Sequence, residues 1–184
     1  MPRSRFVKSK AVIDTSCLQC LLLLDLSFPQ YNLFRTLSLL YGSVLIPQHV
    51  VNEVSRKGRK RGQLNRTLQH YSFLKKCGVM DDYAAQLLYD RRRNPSATID
   101  RGEAEAIIQA REIGASEVLI DERKGSKIAQ AHSLSVKGVL GLIKEFKLIG
   151  VIPEAKPLFE VCRRHGFWIS DALLKQVLEE IGEN

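Results

Sequence analysis

The sequence predicts an α/β protein in which a central parallel sheet is covered by helices on both faces. Short apolar runs recur along the chain, and each is followed by a longer segment with helical periodicity, which is the pattern of successive strand–helix units. The chain has 184 residues, of which 45% are apolar and 26% are charged. This length suffices for one well-buried core and is short for two, so we expect a single domain over residues 1–184.

Predicted strands and helices alternate along most of the chain. Pro47 suits the first position of a helix because its missing N–H costs nothing there, and Ser170 is expected to cap the last helix. In chain order the predicted elements are strand 10–13, helices 17–26 and 31–40, strand 43–46, a helix from Pro47, helix 103–113, strand 117–121, helix 124–133, strand 136–139, helix 140–148 and two helices within 153–182.

The stretch from residue 58 to about residue 98 differs in composition from both of its flanks. It is polar and basic, and helical pieces are predicted near 64–76 and 82–92. It is too small to bury a core of its own. We therefore interpret 58–98 as a basic helical insertion over the domain, and 153–184 as a C-terminal helical extension.

The balance of charge favours a polyanionic partner. The net charge is +8, and basic residues are concentrated in the runs 56–61, 91–93 and 163–164. Each run alone is typical of a solvated loop or helix end. Three runs on one small domain favour nucleic acid, because neutralising phosphates releases counterions. The residues expected to contact nucleic acid are Arg59, Lys60, Arg61, Arg91, Arg92, Arg93, Arg123 and Lys124.

Two acids stand directly at the ends of predicted strands. Asp14 follows the apolar run 10–13, and Asp121 ends the run 117–121. In an open parallel sheet, functional groups gather at the carboxyl ends of the strands. Buried acids repel one another and lose solvation unless a positive charge joins them, and Mg²⁺ or Mn²⁺ would supply that charge. The alternative for each aspartate is a simple helix cap.

Two predicted helices bring further acids towards the same edge of the sheet. Glu53 lies among the apolar residues of its helix and therefore near the buried face. Glu103 and Glu105 lie in the first turn of a helix, where the helix dipole alone could explain an acid. Four separated acids at one edge favour a metal site over four unrelated roles.

The same residues carry a resemblance to PIN domains, the nuclease fold of VapC-type toxins. It extends from about residue 11 to about residue 152, and plausibly through 167–170. The motifs, in order, are Val12-Ile13-Asp14-Thr15-Ser16, Ile46-Pro47-x-x-Val50-x-x-Glu53-Val54, Arg101-Gly102-Glu103-Ala104-Glu105-Ala106-Ile107 and Leu119-Ile120-Asp121-Glu122-Arg123. The glutamate-rich and final motifs look most like a PIN subfamily described as predicted nucleic-acid-binding proteins.

The resemblance implies a three-layer α/β/α sandwich and a metal-dependent endoribonuclease that uses Mg²⁺ or Mn²⁺ to hydrolyse RNA. Its implied catalytic and metal-binding residues are Asp14, Glu53, Glu105 and Asp121. Ser16 would support the first acid, Glu103 would be a supporting or alternative ligand, and Glu122 could assist. A toxin role with an antitoxin partner and a homodimer are further implications. The length of the chain and the insertion at 58–98 depart from the toxins.

Other functions are less well supported by the residues. An aspartyl phosphotransferase needs an acid two residues after Asp14, where this chain has Ser16. Cys17 and Cys20 have redox spacing, but nothing downstream completes such a site. The alternative to the nuclease is a non-catalytic PIN-like module that binds RNA or protein. Without a bilayer-length apolar run or an export signal, we expect a cytoplasmic protein with no membrane contact.

Overall fold

The computed structural model describes residues 9–56, 58–167 and 169–183, with residues 58–60 described by their backbone only. Within these residues, five parallel strands form one sheet in the order β3-β2-β1-β4-β5. The strands are β1 (Lys10–Ile13), β2 (Ser43–Pro47), β3 (Leu74–Cys77), β4 (Glu117–Leu119) and β5 (Val136–Lys137). The predicted α/β fold with a central parallel sheet is confirmed.

Helices cover the sheet on both faces. They are α1 (Thr15–Ser27), α2 (Leu33–Leu40), α3 (Gln48–Ser55), α4 (Gly58–His70), α5 (Asp82–Tyr89), α6 (Arg101–Glu112), α7 (Arg123–Ala131), α8 (Val139–Leu148), α9 (Lys156–Arg164) and α10 (Asp171–Glu180). None of the helices in the described ranges is long and apolar enough to cross a membrane.

The alternation of side chains along β1 separates two cores. Ala11 and Ile13 join a large apolar cluster with residues of α1, α2, α8 and α9, whereas Val12 joins a smaller cluster with α6 and α7. Successive residues of a strand point to opposite faces, so one buried strand supplies both clusters. This central strand also explains the uninterrupted apolar run in the sequence.

The strand order reverses between β1 and β4. The chain passes from β1 outward through β2 and β3, and then crosses back to lay β4 against the other side of β1. Such a switch in strand order opens a crevice at the carboxyl ends of the two strands. The candidate site lies at this crevice.

The middle segment differs from the prediction of a purely helical insertion. Residues 74–77 form the edge strand β3, which pairs in parallel with β2. Only Leu74 of this strand is buried, and Lys75 and Lys76 are exposed. An edge strand needs little apolar alternation, and lysines discourage pairing with other chains. These residues therefore lack the pattern by which a buried strand is recognised.

Pro47 also lies elsewhere than predicted. It is the last residue of β2, paired with Cys77, and it precedes α3 with extended backbone angles. At the end of the strand, its missing N–H removes at most one hydrogen bond of the sheet. Ser170 does cap the last helix, since the Leu173 N–H donates to its hydroxyl over 3.2 Å.

Candidate metal centre

Asp14 and Asp121 lie at the carboxyl ends of neighbouring parallel strands. Asp14 directly follows β1, and its N–H donates to the carbonyl of Leu119, the last residue of β4, over 3.0 Å. Asp121 lies two residues beyond β4. The crevice at the reversal of strand order therefore brings together two acids that are 107 positions apart in the sequence.

Asp14 is both a helix cap and a buried acid. The Cys17 N–H donates to its Oδ1 over 2.8 Å, and the Ser16 hydroxyl donates to its Oδ2 over 2.6 Å. The residue is only 2% exposed. Burial raises the pKa of Asp14 to about 7, and the charge of Asp121 adds to this, although the hydrogen bonds from Ser16 and Cys17 oppose it. Asp14 can therefore be a helix cap and a functional acid at once, two roles that the sequence left as alternatives.

Asp121 is held at one oxygen only. The Val139 N–H at the start of α8 donates to its Oδ1 over 2.8 Å. Its Oδ2 is buried and has no hydrogen-bond partner among the described residues. Burial raises the pKa of Asp121, and the bond from Val139 partly offsets this. A Cβ atom on Gly138 would lie 2.5 Å from Oδ1, so a glycine is needed where the chain passes this carboxylate.

Glu103 is a third buried acid at this edge. It forms a capping box with Asp100, whose N–H donates to Glu103 Oε2 over 3.1 Å. Its Oε1 is buried without a partner in the described part of the chain, and it faces Gly125 of α7, where a Cβ atom would collide with it. Burial raises the pKa of Glu103 to about 7, and the charges of Asp100, Asp14 and Glu122 contribute.

Glu105 points to a different neighbour. The Arg101 guanidinium donates to its Oε1 over 2.7 Å, and the His49 N–H at the start of α3 donates to its Oε2 over 3.2 Å. Both of its oxygens are therefore engaged. The Arg101–Glu105 ion pair neutralises a carboxylate that is as buried as that of Glu103. The hydrogen bond from the His49 N–H ties α6 to α3.

Glu53 is connected to the strand end through Thr15. It is half-buried on α3, and the Thr15 hydroxyl donates to its Oε2 over 2.8 Å. A Cβ atom on Gly102 would lie 2.9 Å from the same hydroxyl oxygen, so the start of α6 also approaches closely here. Thr15 thus joins the element that carries Asp14 to the helix that carries Glu53.

The chemistry of these side chains fits a hard divalent cation. The donors are carboxylates, and two of them have a buried oxygen without a partner among the described residues. The charge of Asp121 raises the pKa of Asp14, and the charge of Asp14 raises the pKa of Glu103. No three His, Cys, Asp or Glu side chains of the described residues, however, already converge closely enough to form a metal-binding group. The structure therefore shows neighbouring acids and not a preformed coordination cage.

Most of the predicted RNA-binding arginines are exposed, but several have intramolecular partners. Arg91 Nε donates to the carbonyl of Ala97 over 3.1 Å, Arg92 pairs with Asp90, and the Arg93 guanidinium lies over the Tyr83 ring. Arg61 is exposed on α4, and Arg123 and Lys124 are exposed at the start of α7. The side chains of Arg59 and Lys60 lie outside the described residues.

A groove of about 840 Å³ opens beside the acids. Ser16, Asp121 and Arg123 are among the residues that line it. Glu122 also faces this groove; it is exposed and provides no side-chain cap to α7. Among the predicted supporting residues, only Ser16 makes a direct hydrogen bond to an acid at the strand ends.

Several contributors were not predicted from the sequence. Thr15, Gly125 and Gly138 act through close approaches between distant segments, which leave no local pattern in one sequence. Cys17 was interpreted as a small buried apolar residue, and its thiol is indeed free and buried. Burial and the charges of both strand-end aspartates raise the pKa of this thiol.

Comparison with known proteins agrees with the resemblance in the motifs. A family model described as a PIN domain matches residues 10–183. No curated protein and no solved structure matches the chain.

Proposed function

Since the chain belongs to the PIN-domain family, whose members are generally nucleases, we propose that it is a divalent-metal-dependent endoribonuclease that hydrolyses RNA phosphodiester bonds. The observation that carries the proposal is the pair of aspartates at the carboxyl ends of β1 and β4, with Glu103 electrostatically coupled to Asp14. Asp14 is buried, and Asp121 is half-buried with its Oδ2 enclosed. Burying like charges is costly unless a cation joins them. Helix capping alone does not explain why these acids lie close together at such a cost.

The proposed ligands of Mg²⁺ or Mn²⁺ are Asp14, Asp121 and Glu103, with Glu53, which accepts from Thr15, as a further proposed ligand on α3. Glu103 replaces Glu105, the residue favoured by the sequence motif, because Glu105 already accepts from Arg101 and from a backbone N–H. Glu103 instead keeps a buried oxygen without a partner in the described structure. A bound ion would activate a water molecule for attack and stabilise charge on the scissile phosphate.

The surrounding residues of the chain orient the carboxylates. Ser16 and the Cys17 N–H each hold one oxygen of Asp14, and the Val139 N–H holds one oxygen of Asp121. Hydrogen-bonded carboxylates lose less freedom when a ligand binds, so these contacts prepare the site. Arg123 and Lys124, exposed just after Asp121, are positioned to attract the phosphate backbone.

A toxin of a toxin–antitoxin pair is the biological role we propose for this activity. An antitoxin that inserts an arginine among the buried acids would supply the missing positive charge and block the site. A homodimer is a further family expectation. The alternative, a non-catalytic module that binds RNA or protein, is favoured by the absence of a preformed three-ligand group among the described residues.

Cleavage of single-stranded RNA tests the proposal directly. We expect cleavage with Mg²⁺ or Mn²⁺, and none with EDTA or in the variants Asp14→Asn and Asp121→Asn. Asp81→Asn is the matched control, because Asp81 also caps a helix, α5, but is exposed to solvent. Tight RNA binding without cleavage under either metal would favour the non-catalytic module. Cleavage that survives both aspartate substitutions would refute the site.

A further inference from the structure

The groove beside Asp121 is lined by two chemically different sets of residues. The polar set lies on α7 and includes Arg123, Ser126 and Gln130. The apolar set includes Leu140 at the start of α8, and Phe167 and Leu173 from the α9–α10 region. Asp121, one of the proposed catalytic acids, also lines the groove.

Phe167 is the aromatic side chain that lines this groove among the described residues. Phe167 is half-buried and packs on the edge of the large core, so one part of its surface is held while another part faces the groove. It follows Gly166, whose positive φ of 86° turns the chain at the end of α9. A ring fixed in this way can offer a flat apolar face without losing much side-chain freedom.

Arg123 gives the groove a positive charge that can attract a phosphate-bearing ligand, and the carboxylates of Asp121 and Glu122 also line it. A nucleotide combines an anionic phosphate, a flat base that stacks on aromatic rings and a polar base edge. The volume of about 840 Å³ lies within the usual range for sites that enclose small ligands.

We propose that this groove is a base-binding subsite for single-stranded RNA, in which Phe167 stacks on a base next to the scissile phosphate and Gln130 and Ser126 contact its edge. This inference rests on the proposed function, because it assumes that RNA reaches the acids. It excludes a duplex substrate, since bases paired and stacked within a helix cannot enter the groove.

Binding to an RNA and to its abasic counterpart separates base recognition from phosphate attraction. A short fluorescent single-stranded RNA and the same backbone without bases are compared by anisotropy, in EDTA so that nothing is cleaved. The wild type should prefer the RNA that carries bases. Phe167→Leu, which keeps apolar volume but removes the ring, should reduce this preference roughly 5- to 150-fold, the range of one base–aromatic stack. Phe167→Tyr should retain it.

Two exposed positions on α7 extend the test beyond the core-packed Phe167. Gln130→Ala should reduce the preference for bases by about two- to tenfold, as expected for lost hydrogen bonds. Lys127→Ala is the control on the same helix; it should leave this preference unchanged. The salt dependence of binding should be the same for the wild type and Phe167→Leu, because no charge is altered.

The outcomes distinguish this subsite from the proposed function itself. If Phe167→Leu keeps the full preference, or if the wild type binds both ligands equally while still cleaving RNA, the subsite is refuted and the nuclease stands. Equal preference for duplex and single-stranded RNA would also refute the subsite. If the wild type neither binds nor cleaves RNA, both proposals fail, and the groove would be a candidate surface for a protein partner.

Discussion

Replacing Asp14 by asparagine should stabilise the metal-free protein while it abolishes cleavage. The pKa of Asp14 is raised from 3.8 to about 7, chiefly by burial. A folded state with a raised pKa binds more protons than the unfolded state, so its stability falls as the pH rises between these two values. Asparagine removes the charge and can still accept from the Cys17 N–H, which preserves the helix cap.

The size of the effect follows from the two pKa values. Each pKa unit corresponds to about 1.4 kcal/mol, so the ionised acid costs the metal-free fold up to roughly 4 kcal/mol at about pH 8. At about pH 5 the folded acid is largely protonated, and the corresponding cost is roughly 1.6 kcal/mol. The stability advantage of Asp14→Asn should therefore grow by roughly 2–3 kcal/mol between these conditions.

Urea unfolding in EDTA, followed by circular dichroism and extrapolated to water, measures this difference at both pH values. Asp81→Asn, a cap exposed to solvent on α5, should not show the same growth with pH. The reasoning is refuted if Asp14→Asn is less stable than the wild type at the higher pH, or if its advantage is equal at both. Functional residues often cost stability, so a substitution that abolishes activity can also stabilise the fold.

Three further predictions concern the rest of the site. Glu103→Gln should weaken Mn²⁺ binding at least about tenfold in calorimetry. Glu105→Gln should leave Mn²⁺ binding nearly unchanged and instead lower the free energy of unfolding by about 1 kcal/mol. The reverse result would restore Glu105 as the metal ligand. Gly138→Ala should push the Asp121 carboxylate aside and lower kcat about a hundredfold in a folded protein; full activity would contradict the close approach. Neutralising residues 59–61 should weaken RNA binding and flatten its salt dependence, and an unchanged salt slope would make the run an ordinary solvated loop.

The elements that could be predicted are those whose burial is visible in a short stretch of chain. The runs 10–13 and 43–46 are apolar because both faces of a central parallel strand are covered, so each predicts its strand without reference to the rest of the molecule. The edge strand 74–77 could not be found in this way, because three of its four residues are exposed. Its assignment depends on pairing with β2, which is a long-range contact.

The sequence alone determined the fold class and which acids are candidates, since strand ends and helix starts are local features. It placed Asp14 and Asp121 at the ends of strands without showing that those strands are neighbours. It also could not separate Glu103 from Glu105, because two residues apart on one helix they point to different sides. Only the packing of α6 against β1, α3 and α7 decides which side meets the aspartates and which meets the start of α3. Distances between remote segments arise from tertiary packing, and a charge acts on its neighbours in space and not along the chain.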